Sequence, residues 1–344
     1  MSRFSRIKGP RPLYICAAAG AGVAAYRFLK PESLNASLHP HDFAPYILVD
    51  KQSVSSTNAI FTLHDGFGVP EPDSVKEARR RGVWSVQAKQ PQLQIARAYT
   101  PLPSKPNESD DEDGHSLRFL IRQETGGEMS TYLHRLLAGS TIELRGPTVE
   151  YELPPDVNEV LFLAGGTGIA PAMQVAEALS RSTGSRMHLL WANRRREECE
   201  GGFGDEALFD TSGQQPSWWR NLLGLGQDSN QALPVGTQKV VSKGLIVREL
   251  EALKERGQSA TRGLHVQYYV DDERSFIKPG DVAKRIHTES SEGQGSRLIL
   301  ISGPDGFVEY WAGKKLWVDG REVQGPLGGV LANMDLKNWQ VVKL

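Results

Sequence analysis

Arg97, Tyr99 and Thr100 stand together in the stretch RAYTP, Arg97 to Pro101. An arginine offers a fixed planar cation suited to a phosphate or pyrophosphate. On an extended strand Tyr99 shares the face of Arg97 and can lie flat on a ring system, while Thr100 presents a short hydroxyl on the other face. A second stretch, GGEMST, places Gly126 and Gly127 before a helix start, where free N–H groups and the helix dipole favour an anion. A third, GGTGIAP, follows an apolar run and opens a helix, the layout that aims backbone N–H groups at a phosphate. It departs from the dinucleotide fingerprint: read as G-x-G-x-x-G from Gly166, its third glycine is Pro171. Proline just inside a helix is tolerated, because its missing N–H would have no partner there. A fourth, SGPDGF, begins at Ser302 after the last apolar run.

Each stretch also has an ordinary reading. Arg97 can be a surface charge, Tyr99 a half-buried core residue, GGEMST a plain helix cap and GGTG a tight turn. Their joint occurrence, in this order, points to ring and pyrophosphate binding. No acid–base dyad stands out. Cys16 and Cys199 lie far apart, which argues against a disulfide framework and a cysteine-based zinc site, and no metal site is expected.

These residues need two kinds of scaffold. Residues 43–155 contain short β runs such as YILVDKQSVS, AIFTLHD, VWSVQAKQ and LQIARAYTPL, separated by glycine and proline, the pattern of an antiparallel barrel. VKEARRRG reads as one helical turn or a charged loop, and STYLHRLLAGS as a short helix ended by Gly139. After PPD at 154–156 the rhythm becomes strand–helix–strand, which implies a parallel, Rossmann-like sheet over 156–344, with EYWAGKKLWV as a helix. Residues 194–237 read as a variable insertion carrying Trp218 and Trp219, and SKPNESDDEDGH as a solvated hairpin insertion. The length of 344 residues suits two such domains. A net charge of −1 gives no support for nucleic-acid binding.

The N-terminus differs from this body. Residues 1–12 hold Arg3, Arg6, Lys8 and Arg11, and no acidic residue precedes Glu32, the composition of a mitochondrial presequence. Residues 13–29 are apolar except for Arg27, at the short end for a membrane span, and 30–42 form a linker. The adopted reading is a presequence followed by an inner-membrane anchor, with the body in the intermembrane space. A cleaved presequence and a secretory-type anchor are the alternatives.

RAYT, GEMS, GGTGIAP and SGP, in that order, resemble the ferredoxin–NADP reductase superfamily and, within it, the NADH–cytochrome b5 reductase branch. The resemblance implies a barrel that binds FAD and a Rossmann-like domain that receives NADH or NADPH. By position it implies that Arg97 contacts the FAD pyrophosphate, Tyr99 packs on the isoalloxazine and Thr100 sits near its N5. Gly127, Met129 and Ser130 would bind the pyrophosphate. Gly165, Gly166, Thr167 and Gly168 would receive the nicotinamide nucleotide, and Gly303 and Pro304 would shape the nicotinamide pocket. The branch carries cysteine where this chain has Ser302. A serine keeps the size without the polarisable sulfur, so slower hydride transfer is expected. The N-terminal segment, Ser302 and the ending QGPLGGVLANMDLKNWQVVKL look most like fungal mitochondrial flavoproteins that assist cytochrome c haem attachment. That likeness implies a haem or cytochrome-type electron acceptor, with apocytochrome c and its haem lyase as partners.

A cytochrome b5 reductase at another membrane and a non-catalytic, flavin-stabilised assembly factor are the competing readings. The choice of coenzyme turns on Arg194 to Arg196 of ANRRRE, which can pair a 2′-phosphate or form a solvated basic loop. Trp339 is expected in the core rather than over a flavin.

Overall fold

The computed structural model describes residues 37–66, 70–104, 116–181, 184–205, 242–257, 263–288 and 295–344. The anchor expected at 13–29, the acidic stretch after Ser104 and most of the 194–237 insertion, with Trp218 and Trp219, lie outside these residues. Among the described residues no helix is long and apolar enough to cross a membrane.

The first half forms one antiparallel sheet of six strands: β1 (Ala44–Ser53), β2 (Asn58–Asp65), β3 (Gly82–Gln90), β4 (Ile95–Tyr99), β5 (Ser116–Arg122) and β6 (Thr141–Glu152). The order is β4-β3-β6-β1-β2-β5, and a bridge from Pro101 to Phe119 joins the two edges into a barrel. Alternation sends Ala44, Tyr46 and Leu48 of β1 inward, onto Phe61, Val86, Phe119 and Ile142. VKEARRR is a full helix, α1 (Asp73–Arg81), because Val75 and Ala78 pack inward while Arg79, Arg80 and Arg81 suit its negative C-terminal end. α2 (Glu128–Arg135) starts earlier than the run STYLHRLLAGS implies. Met129 and Leu133 bury one helical face in the barrel core, and Gly139 belongs to the following turn.

The second half is a five-stranded parallel sheet, β13-β10-β7-β8-β9. Its strands are β7 (Val157–Gly165), β8 (Arg186–Asn193), β9 (Leu264–Val270), β10 (Ser296–Ser302) and β13 (Trp339–Lys343). Its helices are α3 (Ile169–Ser180), α4 (Leu245–Gly257), α5 (Pro279–Thr288) and α6 (Asp305–Ala312). Along β7, Val160, Phe162 and Ala164 face the α3 and α4 side, and Leu161 and Leu163 face α5 and α6. Helices therefore cover both faces, as βαβ connections require. Ile60, Val83, Leu102 and Leu120 of the barrel join the α3 side of that core, so the halves share apolar packing. A partly buried ion pair from Arg118 on β5 to Glu249 on α4 also crosses between them.

Two C-terminal expectations separate. KKLWV is not helical: β11 (Leu316–Val318) pairs with β12 (Arg321–Val323) as a hairpin. Asp319 and Gly320 at its tip both have positive φ, the Asp-Gly hairpin turn that overrides the helix-like charge spacing. Trp339 is in the core, 9% exposed, with the Arg297 guanidinium 4.2 Å above its ring.

Candidate functional site

Sheet order places the site. β8 and β9 lie on one side of β7, and β10 and β13 on the other, so the order in which strands are added to this parallel sheet switches sides between β7 and β10. Crevices of open α/β sheets form at the carboxyl ends of the strands at such a switch. GGTG leaves β7 there and SGP leaves β10 there. Residues 166–168 form a short 3-10 turn, and Trp191 Nε1 donates to Gly166 O at 2.9 Å, holding the turn. A Cβ on Gly168 would stand 2.2 Å from Ser302 O, so only glycine lets the two turns touch. Gly303 packs back on Gly165, and the Phe307 ring lies against Gly165. Ser302 is buried at the end of β10.

These turns border a cavity of about 650 Å³, with Arg122, Arg194, Asp271, Pro304 and Phe307 on its walls. The volume is in the range of small-molecule and cofactor sites. Gly165 and Gly166 line it as the motif suggests, and Thr167 and Gly168 continue the same turn. Gly303 lies behind Pro304, lining a separate groove beside Trp317 and Leu344.

The barrel contributes the second half. Arg97 is exposed on β4 and, among the described residues, donates only to the neighbouring Ala96 carbonyl, at 3.0 Å. Among the described residues no carboxylate pairs with it. Tyr99 is half-buried against the barrel core, edge-on to Phe119 with ring centres 6.5 Å apart. Burial pushes its phenol up to about 12, and Arg97 opposes that shift, so it is neutral at physiological pH. Thr100 and Pro101 follow, where the chain leaves β3 for β5.

GGEMST behaves as a shaped helix start. Gly127 caps α2, Met129 is buried in the barrel core, and Ser130 Oγ accepts from Glu124 N at 3.1 Å and donates to Gly127 O at 3.2 Å. The serine hydroxyl thus shapes the turn, while the first N–H groups of α2 are those a helix leaves unpaired. The donor set suits a flavin dinucleotide: an exposed guanidinium, a helix start and a phenol ring beside it. One residue disagrees in sign. Glu128 occupies the first turn of α2, where its charge competes with a phosphate for the helix end. Glu128→Lys is expected to tighten FAD binding by roughly threefold to tenfold, from about 1 kcal/mol of local electrostatics. Equilibrium titration of the flavin-stripped protein with FAD checks this; weaker binding by the lysine variant would reject a phosphate at this helix end.

Two wall residues escape a motif search, Arg122 and Asp271. Arg122 ends β5 and reaches the nucleotide turn, pairing Glu198 at 3.2 Å and Glu124 at 3.4 Å. The second oxygen of buried Glu198 accepts Arg194 N at 3.1 Å, so one carboxylate fixes both a barrel cation and the loop after β8. Asp271 directly follows β9; burial raises its carboxyl above the usual range, and Arg194 pulls it back. The signal available for each was position, a charged residue at the carboxyl end of an apolar strand. The ANRRRE arginines separate. Arg195 pairs Ser56 and Glu197, Arg196 pairs Glu273 at 2.5 Å and donates to Gly202 O, and only Arg194 lines the cavity.

Comparison with known proteins agrees with both halves. Residues 45–153 match the oxidoreductase FAD-binding domain family, and residues 162–200 the oxidoreductase NAD-binding domain family. The chain is 30% identical to the cytochrome c mitochondrial import factor CYC2 of Saccharomyces cerevisiae, over 93% of this chain and 87% of that protein. It is 29% identical to NADH-cytochrome b5 reductase 1 of Candida albicans, over 54% of this chain and 63% of that protein. Two solved structures share the fold. Full-length CYP116B46 from Tepidiphilus thermophilus superposes with a TM-score of 0.54 at 16% identity, over 88% of this chain and 28% of that one. The CS-b5R domains of human Ncb5or give 0.52 at 13%, over 87% and 69%.

Proposed function

This chain belongs to the family of FAD- and NAD-binding oxidoreductases that includes the cytochrome b5 reductases and CYC2, and from that premise we propose that it is an NAD(P)H-dependent flavin reductase serving a haem or haem-protein acceptor in mitochondrial cytochrome c maturation. The observation that carries the reductase reading is the contact of the GGTG and SGP turns at the β7–β10 switch, in a cavity that Arg122 of the barrel also lines.

In this reading residues 43–155 hold FAD and 156–344 receive the coenzyme. When bound, the flavin supplies exchange between two-electron and one-electron chemistry. The protein supplies position and charge. Arg97 pairs the FAD pyrophosphate, aided by the backbone at Gly127, Met129 and Ser130. Tyr99 offers a neutral ring for the isoalloxazine, and Thr100 a hydroxyl beside its N5. Gly165 to Gly168 present backbone to the coenzyme, and Gly303 and Pro304 shape the nicotinamide pocket. Ser302 keeps the size of a cysteine there and lacks its sulfur. The CYC2 likeness and the basic, acid-free N-terminus support a mitochondrial location. An inner-membrane anchor at 13–29 would hold the body in the intermembrane space, with apocytochrome c and its lyase within reach.

The test is anaerobic mixing of the purified protein with NADH and with NADPH, following flavin absorbance. Bleaching supports the reductase; bound flavin that stays oxidised with both supports an assembly factor. NADH is expected to react faster. A carboxylate near the adenosine ribose favours a free 2′-hydroxyl and repels a 2′-phosphate, and Asp271 supplies it. Asp271→Asn, with Arg194 intact, is expected to raise kcat/KM for NADPH relative to NADH by roughly fivefold to tenfold, about 1 kcal/mol. An unchanged ratio would mean that Asp271 does not meet the ribose.

A further inference from the structure

Gln174 lies on α3, two turns beyond the GGTG loop, and is 5% exposed. Its carboxamide spends all its bonds on the barrel. Oε1 accepts from Trp84 N at 3.0 Å, and Nε2 donates to Pro101 O at 2.9 Å and to Trp84 O at 3.3 Å. The reason lies in strand register. β3 and β4 pair Gln87 with Ala98 and Val86 with Tyr99. Continued by two residues, that ladder would set Trp84 opposite Pro101. Proline has no N–H to give, and Pro101 instead turns away to bridge Phe119 across the barrel seam. A buried ladder position would be left with an unpaired Trp84 N–H and C=O, at a real cost. The Gln174 side chain takes the place of the missing rung.

That rung joins two motifs. Thr100 and Tyr99 immediately precede Pro101 on one side. On the other side, α3 begins at the turn that touches Ser302. We infer that Gln174 is a positioning residue: its carboxamide holds the RAYTP segment at a fixed approach to the GGTG and SGP turns, and so sets the separation across which hydride passes. This rests on the reductase reading above. Gln174 need touch neither nucleotide. Its loss is expected to affect transfer without affecting binding, because a small misplacement of reacting groups lowers rate far more than affinity.

Gln174→Met keeps length and volume and removes all three hydrogen bonds. In the full-length flavoprotein, Gln174→Met is expected to retain flavin, to bind NAD+ within about threefold of wild type, and to show a limiting rate of flavin bleaching at saturating NADH at least tenfold lower. Amide exchange at Trp84 should quicken, and the flavin band in visible circular dichroism should shift, since both report the geometry directly. A limiting rate within twofold of wild type overturns the inference, as does a rate loss matched by an equal loss of NAD+ affinity. Should the methionine variant fail to hold flavin, Gln174→Asn retains the carboxamide one methylene short and is expected to give the same split between rate and affinity; its absence there also overturns the inference. A wild-type protein that binds flavin and NAD+ but does not bleach refutes the reductase reading, and the inference with it. Bleaching in wild type at an unchanged rate in the variants refutes the inference alone.

Discussion

Replacing Arg97 with alanine is expected to yield a folded protein that has lost its flavin. The guanidinium is exposed and donates only to the adjacent Ala96 carbonyl, so its removal breaks no ion pair among the described residues. Surface changes of this kind usually alter stability by less than about 0.5 kcal/mol. A charge-assisted bond to a pyrophosphate is worth about 1.5–3 kcal/mol, and its loss weakens FAD binding roughly tenfold to a hundredfold. The ratio of visible to ultraviolet absorbance after purification, with an unfolding curve in parallel, reads both quantities. Full flavin content at unchanged affinity would remove Arg97 from the site. A flavin-free Arg97→Ala protein that still supports the cellular role would shift the weight from a reductase to an assembly factor.

The second large effect is expected at Gly168. An alanine there drives Cβ to 2.2 Å from Ser302 O and 2.9 Å from Gly303 N, all backbone atoms that cannot swing aside. Either α3 shifts or the SGP turn is pushed off β7. The stability loss is expected at or above the upper end of the roughly 1–3 kcal/mol typical of overpacking. NAD+ affinity should fall with it, since Gly165, Gly166 and Pro304, which line the cavity, belong to the two turns that would be displaced. Gly306→Ala on the same cavity is the control for stability, because an added Cβ meets nothing within 4 Å. Denaturant unfolding of the two variants decides the matter; a Gly168→Ala protein as stable as the Gly306→Ala protein would show that the turns are not pressed together.

Much of the site was legible in the chain because its chemistry is carried by short local patterns. Alternating apolar residues from 43 to 103 announced a barrel, and the strand–helix rhythm after 156 announced a parallel sheet, because each pattern matches the period of its element. GGTG and SGP are turn chemistry, and a turn is specified by a handful of neighbours. The same locality explains the misreadings. KKLWV has helical spacing, yet an Asp-Gly turn decides it as a hairpin.

What the linear order could not reveal is which separate stretches meet. RAYTP, GGEMST, GGTG and SGP are distinct words in the sequence, and only the β13-β10-β7-β8-β9 order brings SGP beside GGTG. Only packing shows that Arg195 and Arg196 are spent on Ser56, Glu197 and Glu273 while Arg194 faces the cavity. Only the lost register between β3 and β4 gives Gln174 a purpose, since a lone glutamine in an apolar helix carries no local signal. Local sequence determined the kinds of element and the chemistry they carry, through side-chain periodicity and backbone freedom. Tertiary structure decided which charges stay open to a ligand, because that depends on partners such as Glu273 for Arg196 and Ser56 for Arg195, 77 and 139 residues away along the chain.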